Sequence, residues 1–349
     1  MSRTPSTSGP GRAFLSVLQD HFAAASRVGV SVRMFEIGGV AIRCEFAGTG
    51  LESVVTRALA HLEREGRGAG TLRLRGWDTA STGVALSPPT LSPDDYGPLG
   101  EILPIGDAST FATFTEPGVL SVFERETGTG TYWTADASRL PGWERAAPAR
   151  SLLGAMLRSR ARHIVHGAAV GWNGAGALIV GDGGTGKSST AMACLDRGMA
   201  YLGDDYCAIS LSPEPTVHSL FSSAKLFPKD ARNVSPDSIR EWLGNSGDDK
   251  EVLYLASGPE RRLPPSLPLR AFLAPRFSNG VTSSVTAIHP IRAVLPALTS
   301  TAAQTPGTGG ELLSVLSTLS RRVPCFELRL GSDRRGVADV VRDTLERLS

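Results

Sequence analysis

"GALIVGDGGTGKSSTAMACLDRG" (residues 176–198) decides the fold. An apolar run of strand length comes first, a glycine-rich loop follows, and a helix-forming stretch is then stopped by Gly198. Inside it, Gly181-Asp182-Gly183-Gly184-Thr185-Gly186-Lys187-Ser188 satisfies the spacing GxxxxGK[ST]. Glycines let the backbone wrap closely and turn its N–H groups inward, forming a nest for phosphate oxygens. The helix that follows adds the positive end of its dipole. Lys187 is placed to reach the β- and γ-phosphates, and the Ser188 hydroxyl to ligate Mg²⁺. Residues Gly181 to Ser189 are therefore the expected set for a nucleoside triphosphate, with Mg²⁺.

Two flanking segments carry further chemistry. Downstream, "MAYLGDDY" (residues 199–206) reads as a core strand with Asp204 and Asp205 at its C-terminal end. In an open α/β sheet that end borders the ligand crevice. One carboxylate can hold Mg²⁺, directly or through water, and the other can take a proton from an acceptor hydroxyl. A simple turn or helix cap is the competing reading of the same four letters, GDDY. Upstream, His166 ends the strand-like "HIVH" (residues 163–166). On its residues alone it is read as a core histidine, as are His163, His218 and His289.

The rest of the chain sets the frame. At 349 residues two domains are the natural expectation. Thirty-six basic residues against 34 acidic give a net charge of +2, which makes no electrostatic case for nucleic acid or a membrane surface as partner. Cys44, Cys194, Cys207 and Cys325 lie far apart, without a CxxC pair or zinc spacing, so buried thiols in a reducing compartment are expected. The polar start "MSRTPSTSGPGR" is no secretory signal, no run is apolar enough to span a membrane, and a cytoplasmic location is expected. Residues 1–10 read as a disordered tail. Residues 11–149 read as an α+β domain. It has helices at 13–27 and 51–65, a hairpin turning at Gly38-Gly39, a strand at 71–77, loops across 80–118, and strands at 119–126 and 129–135. "LPGWERAAPAR" (residues 140–150) marks the boundary to a second unit, 150–349. There strand, loop, helix and strand alternate as in an α/β core. The fold class expected is α/β, a phosphate-loop kinase domain with an additional α+β N-terminal domain.

Taken together, "VHG…GDGGTGKSS…YLGDDY" resembles the C-terminal catalytic domain of the HPr kinase/phosphorylase family, above all its stand-alone serine-kinase relatives from bacterial peptide-tailoring clusters, those of lasso peptides included. The resemblance covers about residues 150–349. It implies that His166 is an active-site histidine, that Lys187 and Ser188 contact phosphate and Mg²⁺, that Asp205 accepts the proton, and that Asp204 supports the metal. The family's metal-binding glutamate beyond the Asp pair has no counterpart in "VHSLFSSAKLF" (residues 217–227), so phosphorylase activity is not carried over; Lys225 there is a candidate positive charge near the phosphates. The resemblance also allows a homo-oligomer. The activity expected is ATP-dependent transfer to a serine hydroxyl of a peptide or small protein, such as a precursor peptide. The alternatives are a nucleotide-dependent peptide-binding module and a small-molecule kinase. Residues 11–149 are read either as the acceptor-recognition unit, whose strands could take an extended peptide by edge addition, or as a purely stabilising domain.

Overall fold

The computed structural model describes residues 10–66, 71–86, 91–116, 118–232, 234, 239–245, 249–255, 263–333 and 336–349. The expected tail lies outside these residues except for Pro10, which opens the first helix.

In the first half, α1 (Pro10–Ala25) precedes the expected hairpin of β1 (Val30–Ile37) and β2 (Val40–Ala47). Gly38 and Gly39 turn it with φ of 59° and 75°, the left-handed pair that a tight two-residue hairpin turn demands. The second helix, α2 (Gly50–Leu59), is shorter than its spacing predicts: the chain tightens into a 3₁₀ turn, then forms β3 (Glu63–Arg64) against β1. Next come β4 (Leu72–Asp78), the short α3 (Thr79–Thr82), β5 (Thr110–Thr115), β6 (Val119–Glu124) and β7 (Thr129–Thr134). These strands form one sheet in the order β3-β1-β2-β4-β7-β6-β5, parallel only across β2-β4-β7. Strand β5 corrects the expected loop across 80–118. Leu18 and Phe22 of α1 bury one face of the sheet against Trp77, Leu120 and Trp133.

The second half opens with α4 (Gly142–Ala146), α5 (Arg150–Arg158), β8 (His163–His166), β9 (Ala168–Trp172) and β10 (Ala175–Ile179). The motif helix α6 (Lys187–Asp196) leads to β11 (Ala200–Gly203), β12 (Tyr206–Ser210), β13 (Thr216–His218) and β14 (Ser223–Leu226). Then follow α7 (Pro228–Ala231), β15 (Ile239–Asn245), β16 (Glu251–Leu255), β17 (Ser266–Phe277), β18 (Ser284–Ala287), α8 (Ile291–Ala302), α9 (Gly309–Arg322), β19 (Cys325–Leu330) and α10 (Gly336–Leu348). The main sheet runs β11-β9-β10-β17-β13-β12-β8, with β19 on β17 and β18 on β19; β14, β16 and β15 form a small third sheet. Apolar side chains of α6 and α10 cover one face of the main sheet, and those of α8 and α9 the other, giving a layered α/β core.

Two bends position the site. β8 and β9 are one ribbon broken at Gly167, where a Cβ would lie 2.9 Å from the Ile179 carbonyl oxygen, so no side chain is tolerated. β11 and β12 are a second ribbon broken at Asp204-Asp205, and the Gly167 N–H donates to the Asp205 carbonyl at 3.1 Å. Both β10 and β11 run antiparallel to β9, so both end on the same edge. The glycine loop leaves that edge after β10 and the aspartates leave it after β11. The Asp pair thus follows an edge strand of this sheet, not an interior one.

The two halves share one apolar cluster. Phe35, Leu62 and Tyr132 of the first half meet Leu152, Met156, Tyr206, Phe221 and Tyr254 of the second. Backbone and side-chain bonds stitch the same seam: Ser222 N–H to Ala58 O at 2.8 Å and Arg162 Nε to Gly38 O at 2.8 Å.

Candidate active site

A cleft of about 860 Å³ opens at the edge where the loop and the Asp pair emerge. Gly183, Gly184, Gly186, Lys187, Ser188 and Ser189 form one wall, and His166 and Asp205 another. Gly184 and Gly186 have φ of 79° and 101°, so the loop uses glycine where an L side chain is strained. Gly186 caps α6 without a side chain, leaving the first amides of that helix directed at the cleft. Gly181, Asp182 and Thr185 shape the loop from behind. The Thr185 hydroxyl donates to Asp182 O at 2.9 Å, and Lys187 Nζ donates to Gly181 O at 2.7 Å and Asp182 O at 2.9 Å. Lys187 is 7% exposed; burial lowers its pKa, with the Asp205 charge pulling the other way.

The two aspartates occupy unlike environments. Asp204 is 2% exposed and lies behind the cleft wall, not on it. It accepts from Tyr201 Oη at 3.2 Å and from the Lys225 N–H at 3.1 Å. Burial, and then the adjacent Asp205 charge, push its carboxyl up to about 6. Asp205 faces the cleft. Burial pushes it up too, but the hydrogen bond from His166, with Lys225 and Arg150 beyond, holds it down at about 2. One carboxylate is thus favoured in its charged form and reachable, and burial disfavours the charge on its neighbour.

His166 Nε2 lies 3.0 Å from Asp205 Oδ1. The His166 backbone N–H donates to the Thr301 hydroxyl at 2.9 Å, and Gln304 Nε2 approaches the ring Nδ1 at 3.0 Å. Ser189 Oγ turns to Asp230 at 3.4 Å. Lys225 lines the cleft, as do Lys229, Lys250, Phe227 and Phe277. The other histidines stand apart from this cleft: His163 and His218 are buried and His289 is exposed. Sequence reasoning missed Lys250, Phe277, Tyr206, Arg150 and Gln304. No motif marks them, because ordinary residue types distant in the chain meet only in the fold.

Metal fit follows from the donor set. Among the described residues no three His, Cys, Asp or Glu side chains converge on a metal-sized site. The cleft offers the Ser188 hydroxyl with the Asp204 carboxylate behind it, hard oxygens that suit Mg²⁺ completed by phosphate and water but no all-protein cage. The four cysteines are free and buried. No described helix is long and apolar enough to cross a membrane.

No family model matches the chain. No curated protein matches it either. Solved structures similar to it include the HPr(Ser) kinase/phosphatase from Coxiella burnetii, with a TM-score of 0.27 and 10% identity, covering 53% of this chain and 97% of that one. So distant a likeness says nothing about chemistry, and function rests on the side chains of the cleft.

Proposed function

We propose that the protein is an ATP-dependent phosphotransferase that moves the γ-phosphate to a serine hydroxyl of a peptide or small protein. The observation that carries the reading is the Asp205 carboxylate on the same cleft as the glycine loop, one of its oxygens held by His166. Loop amides, the α6 dipole and Lys187 would hold the β- and γ-phosphates, and Lys225 and Lys250 add positive charge along the cleft. Mg²⁺, when bound through Ser188 with Asp204 behind it, supplies further neutralisation of phosphate oxygens. The acceptor hydroxyl forms its bond to the γ-phosphorus as the bond to the β-bridging oxygen breaks. Its proton passes to Asp205, and ADP leaves. Positioning and charge do most of the work in such a reaction.

The test is Asp205→Asn, which keeps size but cannot accept a proton. Phosphopeptide formation, read by mass spectrometry after co-expression with candidate serine peptides, should fall about a hundredfold to ten-thousandfold. ATP affinity by calorimetry should stay unchanged. Equal phosphate incorporation by both proteins sinks the reading. Peptide binding without any phosphopeptide from the unaltered protein would mark a nucleotide-dependent binding module instead.

A further inference from the structure

We infer that Arg150, Tyr206 and Gln304 form a one-directional hydrogen-bond relay that fixes the tautomer of His166, so that this histidine is a donor to Asp205 and not itself the base. The inference deepens the phosphotransferase reading and rests on it for its catalytic meaning, though not for its geometry.

The direction follows from which groups have no choice. Arg150 Nη1 lies 2.7 Å from Tyr206 Oη, and a guanidinium has donors only. The phenol oxygen therefore accepts from Arg150, and its own proton must go elsewhere. It goes to Gln304 Oε1, the partner within reach. That bond settles which end of the Gln304 amide is oxygen, so Nε2 faces His166 Nδ1, 3.0 Å away. An amide nitrogen donates and cannot accept. His166 Nδ1 must then carry a lone pair, which puts the ring proton on Nε2, where it donates to Asp205 Oδ1 at 3.0 Å. Every bond in the chain has its sign set by the one before it.

The fold builds this line from three distant segments. Arg150 is the first residue of α5, and its guanidinium also lies 4.6 Å over the Tyr206 ring. Tyr206 is the cross-strand partner of His166 in the β12–β8 ladder, with ring centroids 5.4 Å apart. Gln304 follows α8, the helix whose Thr301 accepts the His166 backbone N–H. The end of α8 thus holds both the backbone and the ring of His166. Tyr206 cannot serve as an acid here, since burial pushes its hydroxyl up out of the working range.

The consequence is chemical. With Nδ1 occupied and Nε2 protonated, His166 has no lone pair to offer a substrate. It secures one oxygen of Asp205 and leaves the second for the acceptor proton. Arg150, Tyr206 and Gln304 are accordingly positioning residues.

Gln304→Glu tests this, because a carboxylate in that place can only accept. His166 Nδ1 should then carry a proton, facing that acceptor. Nitrogen NMR of the histidine ring in the full chain should show the proton on Nε2 and none on Nδ1 in the parent, and lose that pattern in the variant. Tyr206→Phe keeps the ring but frees the amide to turn, and should give a mixture of tautomers. With activity in hand, kcat should fall about a hundredfold in Gln304→Glu while KM for ATP holds. An unchanged Nε2–H tautomer in both variants overturns the relay, whatever the kinetics. A shifted tautomer in a protein that never transfers phosphate overturns the phosphotransferase reading and leaves the relay standing.

Discussion

At the scale of single residues, Lys187 braces the loop on which its proposed ligand role depends. Its ammonium is bound by two loop carbonyls, so it braces the turn whose amides face the cleft. Lys187→Ala removes the charge and leaves both carbonyls without that donor. A charge-assisted hydrogen bond is worth about 1.5–3 kcal/mol, so ATP–Mg²⁺ affinity should drop at least about tenfold to a hundredfold in a calorimetric titration. Lys187→Arg should not restore it, because a planar fork cannot follow a compact ammonium between Gly181 O and Asp182 O. Undiminished affinity in the alanine variant would remove Lys187 from the phosphate site. This residue was legible in the sequence because its chemistry needs a fixed local spacing. A link between His166 and Asp205 could be expected only through the family resemblance, since a histidine beside valine and a GDD turn each have a bland reading. Arg150, Tyr206 and Gln304 were not legible at all. Their meaning lies in hydrogen-bond direction, which no one-dimensional pattern records.

Among elements, the loop–helix junction makes the sharpest demand. Gly186 has φ of 101°, and a Cβ there would lie 2.5 Å from Leu330 Cδ1, whereas a Cβ on Gly183 meets nothing within 4 Å. Gly186→Ala should therefore cost about 1–3 kcal/mol of backbone strain, displace the start of α6 and abolish ATP binding. Gly183→Ala should bind ATP nearly as the parent does. Equal binding by both variants would show that the α6 amides do not set the site. The same contrast explains what sequence reading could reach. The motif predicts β10 and α6 because glycine, lysine and serine there obey local rules. The strand at 110–115 hid inside a proline- and serine-rich stretch because its stability comes from pairing with β6, a neighbour in the ladder and not in composition. The expected helix over 51–65 stops early for the same reason: Glu63 and Arg64 are claimed by β1. The strand at 199–206 continues past the aspartates, as β12, because the ribbon bends there to reach β8.

For the whole molecule, the seam between the two halves is the point of acid weakness. His218 sits on it, buried at 6% exposure, with Gly38 of the β1–β2 turn beside its ring and Ser210 Oγ 2.9 Å from its Nε2. Its Nδ1 is buried and has no hydrogen-bond partner among the described residues. A proton added there would be a buried charge without an acceptor, and Arg162 close by repels it further. Burial, then Arg162, lower the pKa to about 4. The folded state therefore binds fewer protons than the unfolded chain between about pH 4 and 6.5. The stability this group contributes is whole above about pH 6.5 and is lost as pH falls towards about 4, a difference of about 3 kcal/mol. Denaturant midpoints for the full chain should decline over that interval, and His218→Gln, which keeps a partner for Ser210 but cannot titrate, should flatten the decline. Because Phe35 and Tyr132 share a core with Leu152 and Tyr254, the loss should appear as one transition reported equally by both halves. An acid slope unchanged in His218→Gln would place the weakness elsewhere, and two separate transitions would show that the shared core does not couple the halves.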